Sequence, residues 1–224
     1  MKFFKFSILL VFICAGVSAQ NVKFDSTYRP GTYDVQVALF EAYKNSTSDI
    51  IFLGNSITAH SEWAELLENP HVKNRGISGD ITFGILQRLK EVTEGKPAKV
   101  FLLIGINDIS RNIPDELIIN NIQKIVERIK RESPKTKVYL QTILPVNNSY
   151  NKFKNHYNKD EHIATVNNGI KSIAKKSGVT LIDSHQIFLG TDGRLEKNYT
   201  HDGLHLTAEG YAVWAKTLKK YVEE

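Results

Sequence analysis

Two runs of uninterrupted apolar residues, 50–53 and 100–104, each stop at a glycine, Gly54 and Gly105. A short apolar run without polar alternation is the mark of a strand buried on both faces, as in a parallel sheet. With Asp49 entering it, the first run predicts a strand over 49–54. A weaker strand is predicted over 72–77, a short one over 179–182, and another over 138–144 that Pro145 ends. Between these segments the apolar spacing changes to that of helices. Val35, Leu39, Phe40, Ala42 and Tyr43 predict a first helix over 33–43 packed on the sheet. Residues 63–67 predict a short helix ended by Asn69-Pro70, and Phe83, Leu86 and Leu89 predict one that Asp80 can cap. Pro114 and Asp115 open a long amphipathic helix carrying Ile118, Ile122, Ile125, Val126 and Ile129, stopped before Pro134. Two more helices are predicted over 161–176 and 207–221.

Strand-helix alternation without a repeat or linker predicts a three-layer α/β/α domain over 32–224, with a mostly parallel sheet of about five strands. Right-handed crossovers would gather the loops after each strand along one rim. That rim should carry Ser56, Gly79 and Asn107, each of which follows a predicted strand. Residues 20–31 are polar, contain Pro30-Gly31, and read as an extended N-terminal arm.

The first nineteen residues stand apart. Lys2 and Lys5 flank the start of an apolar run over 6–17, and Val17-Ser18-Ala19 offers small residues for cleavage before Gln20. This is the anatomy of a secretory signal peptide, so the chain is expected to be exported, with no membrane span after cleavage. Cleavage would remove Cys14, the only cysteine, and with it any disulfide chemistry. It would also leave 27 of the 29 basic residues against 24 acidic ones, a formal charge of +3. The basic residues form no dense run and no alternation with aromatics, which argues against nucleic acid as a partner.

Serine-based acyl transfer needs a base, a group to orient that base, and donors for an oxyanion. Ser56, just past a strand end, can be a nucleophile or can simply cap the next helix. Asp202 precedes His205 by three residues, a spacing that brings both side chains to one face of a turn, yet a surface Asp-His pair has the same spacing. Gly79 can bring its backbone N–H close to a ligand or can serve a turn, and Asn107 can donate a side-chain amide or can cap a helix. The order of the four features along the chain favours a site.

The blocks carrying these residues resemble a known family. Gly54-Asn55-Ser56-Ile57-Thr58 resembles the first block of the GDSL/SGNH hydrolases, and Asn74-Arg75-Gly76-Ile77-Ser78-Gly79-Asp80 the second. Gly105-Ile106-Asn107-Asp108 resembles the third, and Asp202-Gly203-Leu204-His205-Leu206-Thr207 the last. The pattern is most similar to the branch that holds platelet-activating-factor acetylhydrolase catalytic subunits and bacterial sugar-ester esterases. The resemblance implies a flavodoxin-like fold, an esterase activity, and no metal or other cofactor. It also implies Ser56 as nucleophile, His205 as base, Asp202 as its partner, and an oxyanion hole from the N–H groups of Ser56 and Gly79 with the Asn107 amide. Asn55 departs from the family, which usually has aspartate there.

Export suits an enzyme that meets an acetylated sugar or another short acyl ester. The loop over 147–160 sets Tyr150, Phe153, His156 and Tyr157 among Asn and Lys, a composition that suits sugar faces. Asn55, Tyr150, Phe153 and Tyr157 are therefore candidate substrate contacts, although the rings could equally pack the loop down. A lysophospholipid or similar lipid ester is the alternative substrate. The rival classes are a non-catalytic carbohydrate-binding protein on the same scaffold and a metal-dependent hydrolase using Asp80, Asp108, Asp202 and His201.

Overall fold

The computed structural model describes residues 24–224; the expected signal peptide, residues 1–19, lies outside them. Strands β1 (Ile50–Gly54), β2 (Val72–Gly76), β3 (Lys99–Leu103), β4 (Lys137–Gln141) and β5 (Thr180–Ile182) form one parallel sheet in the order β2-β1-β3-β4-β5. The helices are α1 (Tyr33–Ala42), α2 (Ser56–Ala59), α3 (Trp63–Leu66), α4 (Thr82–Arg88), α5 (Lys90–Thr93) and α6 (Ile106–Ser110), then α7 (Asp115–Glu132), α8 (Asp160–Ser177), α9 (Ser184–Phe188) and α10 (Ala208–Glu223). The three-layer architecture is the one the alternation predicts.

Parallel pairing sets Phe52, Phe101 and Tyr139 side by side on three adjacent strands, where they stack at centroid spacings of 4.7 and 4.4 Å. Helices α3 and α10 close over this aromatic row, with Trp63 stacked on Phe52 at 4.6 Å and set edge-on to Trp214 at 4.9 Å. Both indoles are buried, and each N–H finds an acceptor, the Thr58 carbonyl and the Gln141 side chain. On the opposite face α4, α7 and α8 lie side by side. The helical stripe Ile118, Ile122, Ile125 and Ile129 of α7 is fully buried there.

Strand order reverses at β1, which has β2 on one side and β3 on the other. Chains leaving β1 and β3 diverge from such a point and open a crevice at the strands' carboxyl ends, the usual ligand position in open α/β sheets. Ser56 follows β1 and Asn107 follows β3, so the crevice lies between them.

Beneath it runs a buried ionic network. Arg88 reaches Asp80 (3.0 Å), Glu91 (3.1 Å) and the carbonyls of Gly54 (3.2 Å) and Arg75 (2.9 Å), while Arg75 holds the other oxygen of Glu91 (3.2 Å). Side-chain exposure at Arg88 and Asp80 is 0%, so the pair survives only because each group is fully partnered. The network ties the chain entering Ser56 to the chain leaving Gly79.

Three expectations need correction. In α1 the helical period holds but the stripe is rotated: Val35, Leu39 and Tyr43 face solvent, while Tyr33 and Phe40 are buried with Ile77. Phe40 is drawn in because the guanidiniums of Arg75 and Arg88 lie over its ring, at 4.9 and 5.8 Å. Strand β4 stops at Gln141, because β5 is only three residues long; beyond it the Ile143 N–H donates to Asn167 Oδ1 instead (2.7 Å). Asp80 does not cap α4, since Arg88 claims it; the Thr82 N–H goes to Asp108 (3.0 Å). Residues 24–31, the described part of the expected arm, hold no helix or strand and lie against the domain. Phe24 stacks on Phe83, Arg29 grips Gln87 (2.8 Å), and Tyr28 and Pro30 lie against Gly79.

Candidate active site

Asn55 leaves β1 with extended backbone and accepts the Ile57 N–H on Oδ1 (3.0 Å), which starts α2 at Ser56. Ser56 thus stands at the first position of a short helix, where backbone N–H groups lack intrahelical acceptors. Its Oγ lies 2.9 Å from His205 Nε2. His205 Nδ1 lies 2.8 Å from Asp202 Oδ2, and all three residues are buried. Asp202 Oδ1 accepts the backbone N–H groups of Leu204 (3.0 Å) and His205 (2.8 Å). Burial pushes the Asp202 carboxyl up, but these bonds and the His205 ring outweigh it and hold the group below the ordinary carboxylate range.

The turn that carries the pair is bound on both sides. Thr200 Oγ1 donates to the His205 carbonyl (2.7 Å) and accepts from the Gly203 N–H (2.9 Å). Gly203 has φ +84°, and a side chain there would strike the Asn147 carbonyl. The Asn147 N–H in turn donates to the Gly203 carbonyl (2.8 Å), so the loop after β4 and the loop before α10 are stitched together.

Across the crevice, Gly79 adopts φ +82°, a conformation that favours glycine. Neither its N–H nor that of Ser56 has an acceptor among the described residues. Asn107 sits in the first turn of α6, and its Nδ2 donates to the Asp80 carbonyl (2.9 Å), leaving a second N–H. Its neighbour Asp108 takes both the N–H and the hydroxyl of Thr82, so adjacent residues fasten this loop to the one after β2. Ser56, Gly79 and Asn107 line one pocket of about 320 Å³, with Tyr28, Arg111, Phe153 and Leu204 on its walls.

Of the candidate substrate contacts, Phe153 alone faces this pocket, set edge-on to His205 at 5.0 Å. Tyr157 is turned inward, its hydroxyl donating to the Asp202 carbonyl (2.5 Å), and Tyr150 donates to the Thr200 carbonyl (3.3 Å). Both pack the loop down. Asn55 is also buried and spends Oδ1 on its cap, with Nδ2 unpartnered. The carboxylates of the metal-centre rival are engaged within the protein: Asp80 by Arg88, Asp108 by Thr82, Asp202 by His205. His201 is half exposed and approaches Asp202 Oδ2 at 3.4 Å.

Sequence reasoning missed several neighbours. His60 lies 4.9 Å from the His205 ring and 3.1 Å from Ser78 Oγ, and burial, with His205 nearby, pushes its pKa down. Arg111 stacks over Tyr28 of the N-terminal arm. His156 contacts Asn107, a partner 49 residues away that no spacing rule could suggest.

Fold and site define a class, the α/β hydrolases of carboxylic esters that place their machinery at the switch point of a parallel sheet. A family model, the GDSL-like Lipase/Acylhydrolase family, matches residues 52–213. Platelet-activating factor acetylhydrolase IB subunit alpha2 of Homo sapiens is 30% identical over 185 residues, covering 80% of this chain and 78% of that protein. A GDSL-like lipase of Bacteroides thetaiotaomicron superposes with a TM-score of 0.75 at 25% identity, over 85% of this chain and 97% of that one. An acetyl xylan esterase, AlAXEase, gives a TM-score of 0.64 at 19% identity, over 78% and 96% of the two chains, a likeness of fold alone. The chain belongs to the GDSL-like lipase/acylhydrolase family and is a carboxylic ester hydrolase.

Proposed function

We propose that this protein removes short acyl groups, acetyl foremost, from a carbohydrate or glycoconjugate through a Ser56 acyl-enzyme, and that it does so after export. The observation that carries the mechanism is the continuous contact from Ser56 Oγ through His205 to Asp202, at 2.9 and 2.8 Å. In the first step Ser56 Oγ bonds to the ester carbonyl carbon while His205 Nε2 takes the hydroxyl proton. The oxyanion meets the N–H groups of Ser56, Gly79 and Asn107. Collapse breaks the bond to the alcohol, which leaves with the proton from Nε2. Water then attacks the acyl carbon, gives its proton to His205, and the acid departs as Ser56 regains a proton. Asp202 stays ionised and keeps Nδ1 protonated.

The short-acyl reading draws on the similarity to an acetylhydrolase subunit. The pocket beside Ser56 sets Tyr28, Phe153 and Leu204 among polar Ser78, Asn107 and Arg111, so it offers an acyl group apolar contact close to the donors. Phe153 offers a ring edge beside amide-rich neighbours, which suits a sugar. One observation favours the lipid-ester alternative, the similarity to a platelet-activating factor acetylhydrolase subunit. Export is supported by the charged, apolar and small-residue order of residues 1–19.

Turnover of p-nitrophenyl acetate, butyrate and octanoate, acetylated oligosaccharides and a lysophospholipid tests the reading. We expect kcat/KM to fall steeply with chain length and to be highest among natural esters for the acetylated sugar. A lysophospholipid preference would overturn the substrate assignment. Absent turnover together with no labelling of Ser56 by a serine-directed phosphonate would leave a binding protein.

A further inference from the structure

Asn107 poses a problem that the family blocks do not solve. A side-chain amide has two ends of nearly equal size, and turning it over would aim oxygen, not N–H, at an oxyanion. Something must fix its face. One anchor is the Asp80 carbonyl, which accepts from Nδ2 (2.9 Å). The other is His156, whose Nε2 lies 3.0 Å from Asn107 Oδ1. With those two bonds made, the amide has one N–H left.

We propose that His156 is a positioning residue of this hydrolase: its Nε2–H donates to Asn107 Oδ1 and holds the Asn107 amide with its free N–H toward the substrate carbonyl. The inference rests on the ester-hydrolase reading above. Amide oxygen can only accept, so the proton belongs on Nε2. Nδ1 then carries a lone pair, and it is sealed from solvent without a partner. A proton added there would be a buried cation beside His205 and Arg111. Burial first, then those two neighbours, pushes the His156 pKa down to about 4, with Asp202 opposing weakly. His156 is therefore neutral and of one tautomer throughout the working range of an esterase. Accepting at Oδ1 also polarises the amide and strengthens its remaining N–H as a donor.

The surrounding loop is built to hold that ring. His156 ends a single 3-10 turn at Lys154–His156, set edge-on to Phe153 at 5.8 Å. Phe153 in turn leans on His205, and the next residue, Tyr157, is fastened to the Asp202 carbonyl. One loop thus touches the base, its carboxylate partner and the oxyanion amide. A histidine that only packed the loop would have no need to donate to Asn107, and this difference is measurable.

The experiment is a double-mutant cycle on p-nitrophenyl acetate, with circular dichroism as the fold control. His156→Leu removes the donor; we expect kcat to fall roughly tenfold, the scale of one hydrogen bond, with KM within about twofold. His156→Gln, whose amide can still donate, should recover part of that loss. In an Asn107→Ala background, His156→Leu should cost nothing further, because the amide it orients is gone. Unchanged kcat in His156→Leu, or the same tenfold loss repeated in Asn107→Ala, would overturn the proposal. Should the leucine variant not fold, ring nitrogen-15 shifts of the unaltered protein decide: the Nε2–H tautomer supports the assignment and the Nδ1–H tautomer refutes it. Failure of the hydrolase reading has a separate signature, turnover that survives Ser56→Ala.

Discussion

Asp202 holds His205 by two separate grips, with Oδ2 on the ring Nδ1 and Oδ1 on the backbone N–H of the same residue, both at 2.8 Å. The carboxylate therefore fixes the position of the histidine as well as its tautomer. Asp202→Asn would let the new amide keep the backbone bond while its NH2 donates to Nδ1, forcing the ring proton onto Nε2. The ring could then no longer accept from Ser56. We expect kcat on p-nitrophenyl acetate to fall about 10⁴-fold with the fold intact, the scale seen when other Ser-His-Asp sites take the wrong tautomer. His201 also reaches Oδ2, at 3.4 Å, but His201→Ala should change kcat only a few-fold, because that ring has no path to Ser56. A His201 loss equal to the Asp202 loss would reassign the base's partner.

Asn55 stands where the family usually has aspartate, and its two side-chain ends fare differently. Oδ1 caps α2, while Nδ2 is buried without an acceptor. Asn55→Asp keeps the cap and removes the stranded donor, so turnover should stay within about threefold and stability should hold or rise. Asn55→Ala loses the cap and should cost about 1 kcal/mol of stability by urea unfolding. A collapse of turnover in Asn55→Asp on the scale of Ser56→Ala would give the neutral amide a direct part in the reaction.

Arg88 is the keystone of the charges beneath the site. Arg88→Met would strand Asp80 and leave Glu91 with Arg75 alone, in surroundings that water does not reach. Removing one partner of a buried pair typically costs about 3–5 kcal/mol, and that loss is expected in urea unfolding. Because the network also binds the Gly54 carbonyl, residual activity should fall further than a stability loss alone explains.

Asp108 gives the protein a specific acid response. Burial pushes its carboxyl up to about 7, against the donors from Thr82. A folded-state value above the unfolded one means the native protein keeps a proton that the unfolded chain releases. Between the ordinary 3.8 and about 7, this group's contribution to stability therefore declines as pH rises. The Asp108→Asn variant cannot titrate there. Its urea midpoint should change less between pH 5 and pH 7 than that of the unaltered protein, and an equal change in both would remove Asp108 as the source. Asp80 and Glu91, whose pKa values burial also raises, remain in both proteins and cancel in the comparison.

Local pattern alone determined a good deal. Uninterrupted apolar runs closed by glycine marked β1 and β3, because a strand buried on both faces leaves no polar position to alternate. Alternation with helices then forced a parallel sheet, and the short blocks around Ser56, Gly79, Asn107 and His205 marked where its rim would carry chemistry. Tertiary structure decided what depends on partners distant in the chain. Which face of α1 is buried was settled by two guanidiniums from β2 and α4. Where β4 ends was set by the length of β5, and which residue caps α4 was set by an aspartate from α6. Tyr157 and Phe153, adjacent in composition and indistinguishable by pattern, were sent to opposite duties by the carbonyl of Asp202. His156 shows the same limit most clearly, since a hydrogen bond across 49 residues leaves no periodic trace in the sequence. Periodicity reports burial along one element; the pairing of polar groups between elements exists only after the chain has folded.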